Sequence, residues 1–340
     1  MDPRQSELES WLRGACGLDR FGVMPASGDA SFRRYFRVSL ADGTTLVAMD
    51  APPEHEDCGP YLHVGTELAA IGLHVPAVHR ADTRLGFLLL EDLGRTLYLD
   101  VLDEGSAGRL YGDALGALAA LQACGPRTGL PPYDAPLLQR EMELFRDWLA
   151  GRLLGLPLDA ADHARLDRDF ALLTASALGQ PRVCVHRDYH SRNLMVAAPP
   201  TPGILDFQDA VVGPVTYDLV SLLKDCYVRW PRQRVDDWAM GYFELAVQSG
   251  VLDGTLEGQF LHWFDLMGAQ RHLKAAGIFA RLWLRDGKPG YLKDIPRTLG
   301  YIVEAAARRP ELADLAALVE DRVLPALDAY LATPSAAGVA

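Results

Sequence analysis

Leu8, Trp11, Leu12 and Ala15 recur at helical spacing, and Ser6 followed by Glu9 predicts a capping box in front of them. The period then changes. YFRVSL (35–40) and TTLVAMD (44–50) flank Ala41-Asp42-Gly43, a turn signal between two strand-like runs, and together predict a hairpin. CGPYLHVGTELAAIG (58–72) reads as a helix, VPAVHRA (75–81) as extended chain and GFLLLEDL (86–93) as a buried strand. After Gly94, Leu and Ala return at helical periods over 106–123, 136–154 and 162–178. A short β-rich insert at 183–208 follows, and then helical stretches at 215–226, 234–249, 255–285 and 311–331. The pattern predicts an α+β chain with a small strand-rich lobe, 1–92, and a large helical lobe, 93–340.

About half of the 340 residues are hydrophobic, enough for each lobe to bury a core without disulfides. The five cysteines form no CxxC pair, so neither a zinc site nor a disulfide framework is indicated, and free thiols fit a reducing compartment. The opening MDPRQSELESW lacks the basic start and apolar core of a secretory signal, and no apolar run approaches the roughly 18 residues that span a bilayer. A cytoplasmic protein is expected, without membrane contact. With a formal net charge of −12 and no basic stripe, a nucleic-acid partner is not expected, and nothing in the chain implies a protein partner.

The chemistry concentrates between His186 and Asp218. HRDYHSRN places Asp188 five residues before Asn193, and Asp206 follows in ILDF after a strand-sized interval. Phosphoryl transfer needs a carboxylate beside the attacking hydroxyl, oxygen ligands that hold magnesium on the phosphates, and a positioned site. A loop Asp, a loop Asn and an Asp ending the next strand supply those parts. A loop in which the same residues merely cap turns is the plainer alternative.

His186, Asp188, His190 and Asn193, followed by Asp206, resemble the signature of the aminoglycoside phosphotransferase family, kin of the protein kinases. The resemblance implies a protein-kinase-like two-lobed fold with the active site in the cleft, and use of ATP with Mg2+. It implies Asp188 as the base for the acceptor hydroxyl, Asn193 and Asp206 as magnesium ligands, and Asp218 as a support for the loop. His190 either assists the base or satisfies loop backbone; His186 packs the loop. LLLEDLG (88–94) resembles the family's hinge, with adenine met around Glu91 and Leu93; an ordinary edge strand is the alternative. ASGDASFRRYF (26–36) lies where a phosphate-covering loop belongs, so Ser27, Gly28, Asp29, Ser31 and Arg33 or Arg34 are candidate nucleotide contacts. The lysine that relatives carry on the next strand is missing: no Lys occurs between Met1 and Asp103. Glu67, where the paired acid would lie, either has no partner or pairs with Arg33 or Arg34.

MDAPPEHED, QRHLKAAGIFARL and RDGKPGYLKDIPR carry a finer resemblance, to bacterial kinases that phosphorylate the anomeric hydroxyl of N-acetylmuramate and N-acetylglucosamine in cell-wall recycling. Such a kinase would bind the lactyl carboxylate of N-acetylmuramate with a fixed cation. Arg271, His272 and Lys274 cluster late in a long helix and are the candidates, against the plainer reading of a solvated face. Gln208 and Asp209 either meet sugar hydroxyls or cap a turn. Another small alcohol as acceptor (an aminoglycoside, choline or homoserine) and a catalytically silent kinase fold are the competing readings.

Overall fold

The computed structural model describes residues 2–28 and 32–333. In chain order its N-terminal elements are α1 (Pro3–Gly14), β1 (Phe21–Gly28), β2 (Arg34–Leu40), β3 (Thr45–Asp50), α2 (Gly59–Ala70), β4 (Val78–Asp82) and β5 (Phe87–Glu91). Then come α3 (Tyr98–Val101), α4 (Ala107–Cys124), α5 (Ala135–Leu144), α6 (Ala160–Leu178), β6 (Arg182–Val185), β7 (Leu194–Met195), β8 (Gly203–Ile204) and β9 (Val211–Pro214). The chain ends with α7 (Tyr217–Leu223), α8 (Arg232–Gln248), α9 (Glu257–Asp286), α10 (Ile295–Ala306), α11 (Ala313–Leu318) and α12 (Leu324–Leu331). Two compact units form: Met1–Asp113 with Asn193–Asp209, and Ala114–Arg192 with Ala210–Ala340.

The first unit is built on an antiparallel sheet in the order β1-β2-β3-β5-β4. Leu8, Trp11 and Leu12 of α1 fall on one helical face and pack on Phe36, Val38, Ala48, Phe87 and Leu89, which alternate along their strands toward that same side. Met49, Leu88 and Leu90, of opposite parity, are buried too, so β5 is a continuous apolar run because both its faces are covered. The α1 cap differs from the expectation. Asp2 Oδ1 accepts from the Arg4 N–H at 3.0 Å, and Ser6 sits inside the helix with its Oγ turned to the Asp2 carbonyl. Pro3 explains this, since its fixed φ suits the first helical position. Gly86, at φ +70°, immediately precedes β5; a Cβ there would lie 1.8 Å from the Ala51 carbonyl oxygen, so only glycine lets β3 and β5 close at that end.

The second unit is organised around α9, thirty residues long. Leu266, Leu273, Ala276 and Ala280 pack in one core with Phe145, Phe170, Leu299 and Val319. Gly277 sets the closest approach, because a Cβ there would lie 2.5 Å from the Leu144 carbonyl oxygen. In the middle of α9, Asp265, Gln270, Arg271, His272 and Lys274 are buried rather than solvated. Asp265 accepts from Lys224 Nζ (2.8 Å) and ion-pairs with Arg232 (2.9 Å) and Arg309 (3.0 Å), so a buried carboxylate ties α9 to three other segments. Against this core, β6 and β9 pair antiparallel and hold the HRDYHSRN loop at the end of β6.

Candidate active site

In the second unit the loop leaves β6 after Val185 and turns through Arg187 at φ +78°, a backbone region costly for a long side chain. Asp218 holds that turn. Its Oδ2 accepts from the His186 N–H at 2.6 Å and its Oδ1 from the Arg187 N–H at 2.9 Å. Farther along, Asp225 Oδ2 accepts from both the N–H (2.9 Å) and the hydroxyl (2.5 Å) of Ser191. Asp188 lies between the two pins, its own N–H donating to His186 Nδ1 at 3.2 Å. Burial pushes the Asp218 carboxyl up to about 7, against the two backbone donors that favour its charge.

Asp188 is half-buried. Burial raises its pKa, but Lys274 foremost, with Arg187 and Arg271, pulls it down to about 2, so it is a carboxylate at neutral pH. Two neighbours fix Lys274 in position. Its Nζ donates to the Tyr217 hydroxyl at 2.8 Å and lies 3.3 Å from Glu141 Oε1. Glu141 also takes Arg187 and the Tyr133 hydroxyl. Arg271 differs. It is 4% exposed, its one acceptor among the described residues is Cys226 Sγ at 3.6 Å, and its Nε is buried with no partner there. His190 Nδ1 is likewise buried without a partner; its ring stands edge-on to Tyr227 at 5.5 Å, and burial pushes its pKa down, leaving it neutral near pH 7. His272 belongs elsewhere. It is fully enclosed, stacks on Tyr301 at 4.7 Å and bonds the Lys224 carbonyl at 2.9 Å, which makes it a core residue and corrects its expectation as a substrate contact.

In the first unit Asn193 and Asp206 come together. Asn193 Nδ2 lies 3.4 Å from Asp206 Oδ2, and the Asn193 carbonyl accepts from the Leu205 N–H at 2.9 Å beside the β7–β8 ladder. Asp206 sits at φ +63°. Phe207 anchors it, packing on Tyr61 at 4.8 Å and against Gly65, where a Cβ would come 3.1 Å from the ring. Asn193 and Asp206 offer hard oxygen donors with one carboxylate, a set that suits Mg2+, which takes few protein ligands and completes its shell with phosphate and water. Gln208, read as either a sugar contact or a turn cap, is buried and its Nε2 donates to Asp206 Oδ1 at 2.6 Å, so it braces that carboxylate. Asp209 is exposed.

The nucleotide candidates divide. Glu91 ends β5, its carboxylate accepting from the Ala77 N–H at 3.2 Å, and Leu93 follows with a backbone N–H and C=O that make no hydrogen bond among the described residues. An open donor and acceptor at the end of a strand fit a planar base edge. Ser27 and Gly28 are not loop but strand, pairing with Tyr35 and Arg34; the strand runs past the expected turn because a bulge between Pro25 and Ser27 restores register. Asp29 and Ser31 lie outside the described residues. Arg33 reaches Glu56 at 3.0 Å and lies 3.9 Å from Asp206 Oδ1, while Arg34 is bound to Asp50 and Asp2. Glu67 is exposed and pairs with neither arginine.

Sequence reasoning missed Asp225, Glu141 and Glu56. Asp225 follows Asp218 by seven residues, a helical repeat visible in YDLVSLLKD, but α7 ends at Leu223 and the last pin lies in the following turn. Glu141 and Glu56 carry no local signal, since each acquires its role only from partners distant in the chain.

Residues 22–252 match the phosphotransferase enzyme family. The N-acetylmuramate/N-acetylglucosamine kinase of Pseudomonas aeruginosa is 52% identical over 330 residues, covering 94% of this chain and 96% of that protein. The kinase of the same name from Pseudomonas putida is 50% identical over 330 residues, covering 94% of this chain and 97% of that protein. Among solved structures, a Plasmodium vivax ethanolamine kinase aligns with a TM-score of 0.61 at 11% identity over 86% of this chain and 84% of that one. An ADP-bound aminoglycoside phosphotransferase aligns with a TM-score of 0.56 at 14% identity, over 88% of this chain and 98% of that one. At such identities the likeness speaks for the fold alone, which is the protein-kinase-like α+β fold expected from the HRDYHSRN and ILDF segments.

Proposed function

The chain belongs to the phosphotransferase enzyme family, and from that premise we propose that it transfers the terminal phosphoryl group of ATP to the anomeric hydroxyl of N-acetylmuramate or N-acetylglucosamine. The product is the sugar 1-phosphate, formed in the cytoplasm during peptidoglycan recycling, and the partners are small molecules only. The observation that carries the reading is the pinned loop. Asp218 and Asp225 fix the backbone on either side of a carboxylate that Lys274 keeps ionised.

In this reading Asp188 accepts a hydrogen bond from the acceptor hydroxyl, orients it and takes its proton as the new P–O bond forms. An anomeric hydroxyl suits a carboxylate held this low, because two oxygens on one carbon make it more acidic than an ordinary alcohol. His190, neutral and with Nδ1 lacking a partner among the described residues, assists. Asn193 and Asp206 hold magnesium, with Gln208 bracing the aspartate. Magnesium, when bound, neutralises charge on the transferring phosphates. The backbone around Glu91 and Leu93 meets adenine. Arg271 is the cation for a lactyl carboxylate: its buried Nε lacks a partner among the described residues, and a carboxylate would satisfy the fork in two bonds. Lys274, Arg187 and Arg271 around Asp188 disfavour a polycationic acceptor such as an aminoglycoside.

Phosphorus NMR of the product from ATP and N-acetylmuramate tests the reading, with kanamycin and choline as competing acceptors. A sugar phosphate resonance coupled to the anomeric proton is expected. A C6 phosphate, or transfer to kanamycin or choline alone, would refute it.

A further inference from the structure

We infer that Arg192 is a specificity-determining residue: seated on the rings of Tyr227 and Tyr291, it meets the lactyl carboxylate and so selects N-acetylmuramate over N-acetylglucosamine. The inference rests on the amino-sugar reading above and adds to Arg271 a second cation, one that no motif in the sequence singles out.

Arg192 belongs to the HRDYHSRN loop, four residues past Asp188. Other arginines of the second unit hold carboxylates: Arg187 takes Glu141, Arg232 takes Asp236 and Arg297 takes Asp294. Arg192 takes none among the described residues. The acids near it are engaged elsewhere. Asp225 accepts from the N–H groups of Ser191 and Tyr227, each at 2.9 Å, and Asp294 accepts from Arg297 at 3.0 Å. Aromatic rings hold Arg192 instead. Its guanidinium carbon lies 4.4 Å from the centre of the Tyr227 ring and 5.3 Å from that of Tyr291. The Tyr227 hydroxyl engages one donor, and the ring faces leave others in the guanidinium plane for a further acceptor. Tyr291 lies in the short turn Pro289–Asp294 after α9 and stacks at 5.4 Å on Phe279, a core residue of that helix. The RDGKPGYLKDIPR segment thus carries a ring of the seat. A cation fixed in this way loses little freedom when a ligand arrives.

The seat adjoins the catalytic loop's own polar groups. The His190 ring stands edge-on to the same Tyr227 ring, at 5.5 Å. Burial foremost, and then Arg271 and Arg192, press the His190 pKa down against Asp225 and Asp188, so the charge of each arginine reaches a side chain two residues from the base. Two cations that hold no carboxylate among the described residues converge there, Arg271 buried and Arg192 exposed. An acceptor with a carboxylate supplies the missing charge, and one without it leaves both unpaired. N-acetylmuramate differs from N-acetylglucosamine by a lactyl ether that ends in that group.

Steady-state kinetics with three acceptors tests this: N-acetylmuramate, its methyl ester and N-acetylglucosamine. The unaltered protein should prefer the acid to its ester by at least about tenfold in kcat/KM. Arg192→Ala should lower the ratio of kcat/KM for N-acetylmuramate over N-acetylglucosamine by at least about tenfold and narrow the preference for the acid over its ester. The loss should appear in KM, because the lactyl group is remote from the reacting oxygen. Arg192→Lys should recover part of it, and Tyr291→Leu should lower the same ratio by about threefold by removing one ring of the seat. Should Arg192→Ala melt early, Arg192→Gln and Tyr291→Leu carry the comparison. A ratio unchanged in the Arg192 variants overturns the inference, whether the two activities fall together or hold, and leaves the kinase reading standing. An unaltered protein that takes acid and ester alike overturns it too. Failure of the unaltered protein to phosphorylate either amino sugar refutes the amino-sugar reading itself.

Discussion

Replacing Asp218 with Asn preserves size and removes one of the two oxygens that hold the turn at His186 and Arg187. Two effects on stability oppose each other. Burial raises the Asp218 carboxyl to about 7 from an ordinary 3.8, so at pH 8 its ionised form costs about 4 kcal/mol, which Asn escapes. Against this, an amide N–H faces a buried backbone donor, a loss of about 1–3 kcal/mol. Asp218→Asn should therefore melt no lower than the unaltered protein at pH 8. The sign follows from linkage: a folded pKa above the unfolded value means the contribution is complete below about 3.8 and lost as pH rises through 7. The advantage of the variant accordingly shrinks from pH 8 to pH 5. Activity behaves otherwise. With one pin gone, Arg187 can leave its φ of +78° and carry Asp188 with it, and a displacement of about 1 Å costs about a hundredfold in rate. Steady-state kcat/KM from coupled ADP release, with thermal melting at both pH values, measures the two together. A rate within about threefold of the unaltered enzyme would refute the reasoning, as would a melting loss at pH 8 that accounts for the lost rate.

Lys274→Met should let the Asp188 carboxyl rise from about 2, moving the acid limb of kcat/KM upward by about one pH unit, and an unmoved limb would remove Lys274 from that role. Asp206→Asn should lower kcat by at least about a hundredfold and raise the magnesium concentration needed for half-maximal rate by about tenfold, read from a metal titration. Asp169, pushed up to about 6 by burial and then by Asp314, offers a change with no catalytic consequence. Its raised pKa costs stability as pH rises from about 3.8 through 6, so Asp169→Asn should gain about 1–2 kcal/mol at pH 8, after solvent screening, and about half of that at pH 5. Denaturant unfolding at the two pH values checks this, with kcat unchanged.

Features carried by short-range pattern were legible in the sequence: the 35–40/44–50 hairpin, the buried strand before Asp92 and the long helix α9. So was the grouping of Asn193 with Asp206, because a short ladder returns the chain to the same place. β1 was not legible as a strand through Gly28, since Pro25 and a bulge interrupt its alternation. Burial of polar side chains was not legible either. Arg271, His272 and Lys274 read alike along a helix, yet one stacks in the core, one binds Glu141 and Tyr217, and one keeps a nitrogen without a partner. What separates them is the set of facing elements, which no local spacing encodes. That Glu56 and not Glu67 pairs with Arg33 has the same origin, because only the folded connection decides which acid reaches the arginine.

The chemistry assigned to Asp188 is tested most directly by single-turnover transfer from ATP to N-acetylmuramate in Asp188→Ala, with ADP affinity measured on the same sample. Transfer slowed by at least about a hundredfold, with ADP affinity unchanged, is the predicted result. Transfer at the unaltered rate would contradict it.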